Sequence, residues 1–191
     1  EELDKFNYME HPVNVAVALD VCEEAGVGRD VALSGMHKVR PDLGALIAWN
    51  LDIDTKRIQF INGMAANDPV STLQIWKFLI DRYPAEGGTC VFFNSRDDRP
   101  LRTRQMIELT LKDIKPDHFI VRGDKVDGTI QRLLHYSPKT NVQTIGLDVS
   151  LDDVVSLMTD LPHDTLIYAI GNQVGAGQDI LEKISKYHHH G

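Results

Sequence analysis

Short apolar runs alternate with amphipathic stretches from Lys56 onward, and this alternation restricts the possible folds more than any other feature of the sequence. Each run is five or six residues long and mostly apolar or β-branched, as buried strands are. The runs cover residues 57–62, 89–94, 118–122, 142–146 and 165–170. Because strands separated by helices pair in parallel through right-handed crossovers, we predict a Rossmann-like α/β fold with a mainly parallel sheet flanked by helices. Strands without polar alternation favour a sheet that is covered on both faces.

The stretches between the apolar runs have the period of helices. They cover residues 69–83, 101–114, 126–136, 150–161 and 178–187. In the first of these, apolar side chains recur on one face, and they are Leu73, Trp76, Leu79, Ile80 and Tyr83. Ser150 and Asp153 have the spacing of a capping box, which predicts a helix start at this point.

The residues before this alternation have a different pattern. His11-Pro12 places a proline in the first turn of a helix, and Gly26 stands where a C-terminal cap belongs. A second short helix is predicted at 30–38, and the stretch up to Thr55 is expected to be a linker or a connecting strand. The predicted parts of the chain are residues 1–55, residues 56–187 and a tag remnant or native tail at 188–191.

Composition excludes several classes of protein. A net charge of −8 disfavours binding to nucleic acid or to an anionic membrane surface, so we expect no nucleic-acid partner. Cys22 and Cys90 lie far apart and have neither metal-ligand nor disulfide spacing, and we expect no metal site. No run of about 18 apolar residues occurs, so no transmembrane helix is predicted.

The loop after the first predicted strand brings a helix start to the ligand-binding edge of the sheet. In an open parallel sheet, ligands bind beyond the carboxyl ends of the strands. Asp68 is a good N-cap and Pro69 a good first helical residue. A helix N-terminus at this edge suits a carboxylate or a phosphate, although a well-capped helix without a ligand explains the same residues.

Arginines follow the second and third predicted strands. Arg96 and Arg99 lie in a loop with two aspartates, and Arg122 ends the next strand. Arginine binds carboxylates and phosphates through two hydrogen bonds, so convergence of these side chains predicts a cationic crevice in an acidic protein. A solvated cluster of mutually neutralising charges is the alternative.

The last predicted strand runs into a glycine-rich loop made of Gly171, Asn172, Gly175 and Gly177. Glycines allow backbone N–H groups to approach a ligand closely. The spacing matches neither the dinucleotide fingerprint nor a P-loop, and a tight turn between strand and helix explains it equally well. The positions of the histidines in the sequence do not support a Ser-His-Asp catalytic triad.

Four strings of residues, in this order over nearly the whole chain, resemble a known family. They are ALSGMHKVRPDLGAL, FINGMAANDP, NSRDDRPLRT and AIGNQVGAGQ. A further string, EHPVNVAVALDVCEEAG, resembles the late motif of the Mur ligase ATPase domain. The chain therefore resembles the C-terminal half of a Mur-ligase-type enzyme, closest to the ligase subunit of poly-γ-glutamate synthases (CapB/PgsB type). This resemblance implies that residues 1–55 end the ATPase domain and that 56–187 form the Mur ligase C-terminal domain.

The resemblance implies an ATP-dependent acid–amino acid ligase that forms γ-glutamyl bonds through an acyl phosphate. It implies that Asn14 contacts adenine and that His11 supports this contact. It also implies that Asn67, Asp68 and Ser71 face the incoming amino acid and the nucleotide. The assignment of Arg96, Arg99 and Arg122 to glutamate carboxylates follows from charge and strand-end position instead.

The resemblance also implies cofactors and partners. The cofactors are ATP and Mg²⁺, and the partners are glutamate or poly-γ-glutamate, an N-terminal ATPase half and small integral-membrane subunits. The resemblance further implies that the protein is cytoplasmic and lies at the inner face of the cell membrane. The sequence departs from the family at Gly63 and Ala66, where other members carry acidic or asparagine residues, and it contains no G-x-x-x-x-G-K-[ST]. We therefore expect the P-loop in a preceding part of the enzyme and no activity from this chain alone.

Two other functions are compatible with the same sheet pattern. One is a non-catalytic Rossmann-like module that binds or assembles the components of the same synthase complex. The other is a nucleotide-dependent oxidoreductase, which the missing dinucleotide fingerprint after the first strand disfavours.

Overall fold

The computed structural model describes residues 2–6, 10, 12–39, 46–66 and 68–188. The chain divides into two compact units, which are Glu1–Ala48 and Trp49–Gly191. The second unit begins before the predicted start at Lys56 because the preceding segment is a strand of its sheet.

The first unit contains two described helices, α1 (Pro12–Glu24) and α2 (Arg29–Met36), preceded by a 3-10 turn at Leu3–Lys5. Proline opens α1, where its missing N–H group is not needed for an intrahelical bond. The helices form a small apolar core from Val15, Leu19, Ala32 and Leu33.

The second unit is built on one sheet with six strands among the described residues. The strands are β1 (Ile47–Ile53), β2 (Lys56–Asn62), β3 (Thr89–Asn94), β4 (His118–Arg122), β5 (Asn141–Ile145) and β6 (Thr165–Gly171). Their spatial order is β1-β2-β6-β3-β4-β5. The five predicted strands are therefore confirmed to within a residue at each end.

The sheet is mixed, although its main part is parallel as predicted. β6 pairs in parallel with both β2 and β3, and β4 pairs in parallel with β3 and β5. Only two residues connect β1 to β2, and a connection this short allows only antiparallel strands. In this turn Asp54 has a φ of 52°. The segment expected to be a linker or a connecting strand is thus an antiparallel edge strand.

Helices cover both faces of the sheet. They are α3 (Pro69–Arg82), α4 (Pro100–Leu109), α5 (Asp127–Leu133), α6 (Leu151–Thr159) and α7 (Ala176–Ser185). Apolar residues of α6 and α7 pack on one face with Phe60, Phe92 and Ile167. On the other face the ring of Tyr168 stacks on Trp76 of α3 at a centroid distance of 6.1 Å. None of the described helices is both long and apolar enough to span a bilayer.

The predicted inward face of α3 needs one correction. Ile80 is 46% exposed, whereas Thr72 is fully buried. The buried face of α3 runs through Thr72, Trp76 and Leu79, and it packs near β6, where the Tyr168 hydroxyl donates to the Thr72 carbonyl oxygen at 3.3 Å. The predicted helix start at Ser150 is confirmed, since its Oγ accepts from the Asp153 N–H at 3.2 Å.

Candidate functional site

Buried polar side chains lie at the carboxyl ends of three described strands whose other residues are largely apolar. They are Asn62 at the end of β2, Asn94 and the following Ser95 at the end of β3, and Arg122 at the end of β4, with exposed fractions of 3%, 1%, 6% and 6%. Buried polar groups require hydrogen-bond partners or a ligand. This edge of the sheet is therefore where function is expected.

A pocket with a cavity volume of about 30 Å³ opens between the ends of β3 and β6 and the start of α4. A volume of this size is enough for at least one small polar group. The lining residues with side chains that can bind an anion are Asn94, Ser95, Arg96, Arg99, Arg102 and Thr103. Gly171, Asn172 and Ala66 also line the pocket, and we call Gly171 and Asn172 its glycine-loop wall.

The start of α4 is suited to an anion. Arg99 occupies the N-cap position without forming a side-chain cap, Pro100 follows, and the first turn contains no acidic residue. A helix start has free backbone N–H groups and a partial positive charge. In most proteins a Ser, Thr, Asp or Asn side chain satisfies these groups, so the missing cap leaves this helix start available to an anion.

Of the three arginines in the pocket lining, one is already neutralised. Arg96 donates from Nε and Nη2 to the two carboxylate oxygens of Asp98, at 2.8 and 2.6 Å. These hydrogen bonds lower the pKa of Asp98 and raise the pKa of Arg96. Among the described residues, neither Arg99 nor Arg102 forms an ion pair within 4.0 Å. One arginine of the pocket is therefore self-neutralised, as the alternative interpretation predicted, and the other two are available.

The glycine-rich loop is shaped by its approach to β3. Gly171 has a φ of 100°, and a Cβ there would lie 2.4 Å from the Asn94 carbonyl oxygen. Gly175 begins α7 with a φ of 69°. At Gly177 a Cβ would lie 2.2 Å from the carbonyl oxygen of Asn172. Side chains larger than hydrogen are excluded at two of these positions by backbone atoms, so close packing alone accounts for those glycines.

Arg122 does not line the pocket but lies beside it. Its Nη1 donates to Asn94 Oδ1 at 3.2 Å, and its Nη2 donates to the Leu147 carbonyl oxygen at 2.7 Å. The Nε is buried and has no hydrogen-bond partner in the part of the chain that the structure describes. Burial lowers the pKa of this guanidinium. The structure therefore brings Arg96 and Arg99 together in one pocket and places Arg122 behind its wall.

Asp68 serves the helix that it precedes. Its Oδ1 accepts a hydrogen bond from the backbone N–H of Ser71 at 2.9 Å, which caps α3. This bond is the main reason why the pKa of Asp68 lies below its usual value, and the charge of Arg102 lowers it further. Asp68 and Ser71 stand at the predicted edge of the sheet but outside the pocket lining.

The residues expected to contact nucleotide are only partly described. His11 and Asn67 lie outside the described residues. Asn14 is exposed on α1, and its Nδ2 donates to Glu10 Oε1 at 2.7 Å. Within the described ranges, no group of three or more His, Cys, Asp or Glu side chains is arranged to hold a metal ion.

The departure from the family at Gly63 has a steric cause. A Cβ at this position would lie 2.2 Å from Cε2 of Tyr168, a ring that is fully buried. An acidic side chain therefore cannot occupy this position beside Tyr168 without displacement of the ring. Ala66 is compatible with the pocket, which it lines.

Sequence reasoning missed Asn62, Asn94, Ser95 and Arg102 as site residues. Two signals could have found them. A polar residue that ends an otherwise apolar strand of a parallel sheet points to the ligand-binding edge. Arg102 follows Arg99 by three residues, which places both on one side of the first turn of α4.

Comparison with solved structures defines the class of fold. The chain is similar to MurF from Acinetobacter baumannii, with a TM-score of 0.62 and 15% identity over 91% of this chain and 39% of that chain. It is also similar to the UDP-N-acetylmuramate-alanine ligase MurC from Thermotoga maritima, with a TM-score of 0.62 and 12% identity over 91% of this chain and 37% of that chain. The fold is that of Mur ligases, as the sequence predicted.

Sequence comparison then defines the family. Residues 49–187 match the family described as the poly-gamma-glutamate synthase CapB C-terminal domain, and the chain belongs to this family. It is 32% identical over 189 residues to the PGA synthase CapB of Bacillus subtilis, covering 98% of this chain. It is likewise 32% identical over 188 residues to the capsule biosynthesis protein CapB of Bacillus anthracis, covering 96% of this chain. The chain spans 48% and 40% of the lengths of these relatives.

Proposed function

We propose that this chain is the amino-acid-binding part of an ATP-dependent acid–amino acid ligase that forms γ-glutamyl bonds in poly-γ-glutamate capsule synthesis. One observation carries this proposal: an uncapped helix start and two arginines without ion pairs, Arg99 and Arg102, meet in one pocket. The chain as a whole is acidic, with a net charge of −8, so a local excess of positive charge has to be explained. The names of the relatives support glutamate as the substrate.

The geometry favours a carboxylate as the group that enters the pocket. A carboxylate accepts two parallel hydrogen bonds from one guanidinium, and backbone N–H groups at a helix start add further donors. The cavity volume of about 30 Å³ is enough for such a head group. In this proposal the rest of the amino acid, including its reactive amine, points out of the pocket, where an acyl group can reach it.

The reaction proposed for the complete enzyme has two steps. Phosphoryl transfer from ATP first converts the γ-carboxylate of the donor glutamate into an acyl phosphate and releases ADP. The free amine of the acceptor glutamate then attacks the acyl carbon, the C–O bond to phosphate breaks, phosphate leaves with the bonding electrons, and the amine loses a proton. The contribution of this chain is to bind the acceptor carboxylate and to orient its amine, which raises the effective concentration of the nucleophile.

Nucleotide and Mg²⁺ are proposed to be held mostly by the N-terminal ATPase half. This sequence contains no P-loop, and the described residues form no cluster of metal ligands. Asn14, exposed on α1, is the described side chain of this chain that can contact adenine, and it must first release Glu10. When bound, ATP supplies the phosphoryl group, and Mg²⁺ neutralises the charge on the transferring phosphate.

The proposed partners are the ATPase half, the growing polymer and small membrane subunits. Val17 and Val21 of α1 are 55% and 64% exposed, and Val31 of α2 is 68% exposed. These apolar side chains on one small unit are suited to packing against another protein segment, for which the ATPase half is our candidate. The membrane subunits and a location at the inner face of the cell membrane are proposed from family membership.

Substitution of the unpaired arginines tests the carboxylate site. We expect Arg99→Gln and Arg102→Gln each to weaken glutamate binding by about tenfold, since a charge-assisted hydrogen bond contributes roughly 1.5–3 kcal/mol. The measurement is a titration of the ¹⁵N-labelled chain with d- and l-glutamate and a γ-glutamyl dipeptide, followed at the amides of Gly171 and Asn172. The matched control is Arg104→Gln, which removes the same charge from an exposed position on α4 outside the pocket lining. Equal binding by all three variants would contradict the proposal.

Reconstitution distinguishes the ligase from an assembly module of the same complex. The isolated chain is expected to show neither ATPase activity nor glutamate incorporation. Addition of the N-terminal half is expected to restore ATP-dependent incorporation of glutamate, and Arg102→Gln is expected to reduce it. If the N-terminal half restores incorporation equally with the unsubstituted chain and with Arg99→Gln and Arg102→Gln, the assembly module is favoured.

A further inference from the structure

Arg122 is a buried cation with neutral partners. It is 6% exposed, and its two Nη atoms donate to an amide oxygen of Asn94 and to the carbonyl oxygen of Leu147. No carboxylate lies within 4.0 Å of it among the described residues, and its Nε has no hydrogen-bond partner. A buried charge in this situation is a weak contributor to stability, because desolvation opposes its hydrogen bonds. The buried position of Arg122 is better explained if its side chain holds neighbouring groups in place than if it stabilises the fold.

Asn94 links this cation to the wall of the pocket. Because its Oδ1 accepts from Arg122, its Nδ2 faces the other way and donates to the Asn172 carbonyl oxygen at 2.7 Å. The backbone closes the same contact, since the Asn172 N–H donates to the Asn94 carbonyl oxygen at 2.8 Å. Gly177 packs against both partners, with a virtual Cβ 2.2 Å from the Asn172 oxygen and 3.1 Å from Asn94 Nδ2.

We propose that Arg122 is a positioning residue that fixes the orientation of the Asn94 amide and thereby holds the glycine-rich loop, residues 171–177, against the pocket. This inference rests on the proposed function, because the pocket is the one assigned to the glutamate carboxylate. Arg122 donates to the amide oxygen of Asn94, and the amide nitrogen donates to the Asn172 carbonyl oxygen, so the two contacts hold the amide from both ends. Without the Arg122 donor, one end of the amide is no longer held, and the side-chain anchor of the loop is weakened.

Two substitutions of Arg122 separate position from charge. Arg122→Met is of similar length and apolar, so it removes the donors without leaving a buried charge. Arg122→Lys keeps the charge but lacks the planar fork that reaches two acceptors at once. Arg132→Met is the matched control, because it removes a positive charge from an exposed position on α5. Each variant is compared with the unsubstituted chain by urea unfolding, by ¹H–¹⁵N spectra with hydrogen exchange, and by glutamate titration.

The expected result for Arg122→Met is a folded protein with altered amide signals at Gly171, Asn172 and Gly177. Hydrogen exchange of the Asn172 amide is expected to accelerate by about tenfold, and glutamate affinity to fall by about the same factor, as for the loss of one buried hydrogen bond. Arg122→Lys is expected to recover neither the loop signals nor the full affinity, and Arg132→Met to change none of these quantities.

Three outcomes overturn the inference. The first is an Arg122→Met protein with unchanged loop amides. The second is full recovery of glutamate affinity by Arg122→Lys while the loop signals stay altered, because charge alone then explains binding. The third applies if Arg122→Met does not fold, and it is an Arg122→Lys protein whose loop amides are unchanged. If glutamate causes no shift of any amide signal in the unsubstituted chain, the proposed function is refuted. The role of Arg122 is still tested in that case, because the loop amide signals are compared without a ligand.

Discussion

Gly63→Ala is predicted to destabilise the second unit through a single steric overlap. The added Cβ would lie 2.2 Å from Cε2 of Tyr168, whereas ordinary contact begins at 3.4 Å. The difference, 3.4 − 2.2, means that the ring or the backbone has to move by about 1.2 Å. The ring has little freedom, because it is fully buried, stacks on Trp76 and donates from its hydroxyl to Thr72.

Overpacking of this kind costs about 2 kcal/mol in a well-packed core. For a chain of this size, such a loss lowers Tm by about 4–8 °C. The assay is thermal and urea unfolding of Gly63→Ala, compared with Gly128→Ala in α5, where an added Cβ meets nothing within 4 Å. The control is expected to be more stable than the unsubstituted chain by about 0.5–1 kcal/mol, because alanine favours helix over glycine.

The same substitution in a Tyr168→Leu variant tests whether the overlap with the Tyr168 ring is the cause of the destabilisation. Tyr168→Leu shortens the side chain so that no atom stands at the position of Cε2, and the effect of Gly63→Ala in this background should fall to less than half. An equal loss of stability in both backgrounds would refute the steric argument, and so would a Tm for Gly63→Ala equal to that of the unsubstituted chain.

Two further predictions concern the N-cap of α3 and the cysteines. Asp68→Ala is expected to cost about 1 kcal/mol at neutral pH, while Asp68→Asn retains most of the cap. Because the Ser71 N–H holds the pKa of Asp68 below its usual value, the contribution of the carboxylate is complete above the unfolded-state pKa of about 3.9 and is lost as pH falls through the folded pKa. Urea midpoints at pH 7 and pH 3 measure this, and an Asp68→Ala deficit equal at both values would contradict it. Cys90 is fully buried, and burial raises its thiol pKa, so a thiol reagent at pH 8 should modify partly exposed Cys22 first and Cys90 only on unfolding. Simultaneous reaction of both thiols in the native state would show that Cys90 is accessible.

The parallel core of the fold could be predicted because its strands are apolar on both faces. Thr89–Asn94 and His118–Arg122 have the predicted bounds, and each is paired on both sides. β1 was harder, because its polar residues Asn50 and Asp52 alternate with buried Leu51 and Ile53. Such an edge strand depends on its pairing with β2, and this pairing is a tertiary property that a local pattern does not contain.

The site could be predicted at the level of the edge but not of the individual contacts. Because the carboxyl ends of parallel strands meet at one edge of the sheet, the loops after β3 and β6 could be expected at the same edge. The hydrogen-bond partners of Arg96 and Arg122 could not be predicted. The partner of Arg96 depends on the local turn that brings Asp98 within 2.6 Å, and the partners of Arg122 depend on its burial beside Asn94. Arginines with the same charge thus differ in availability according to which acceptors lie nearby.

The available positive charge lies on one side of the ligand-binding edge, and this bears on the proposed function. On the β2 side of the edge, Tyr168 excludes an acidic side chain at Gly63, and Asp68 is occupied by its own helix. On the β3 side, an uncapped helix start and the side chains of Arg99 and Arg102 are available to an anion. A carboxylate gains most from planar guanidinium donors, which this side of the edge supplies. The asymmetry is therefore the one that the proposed function requires, with the acceptor amino acid bound on the β3 side of this edge.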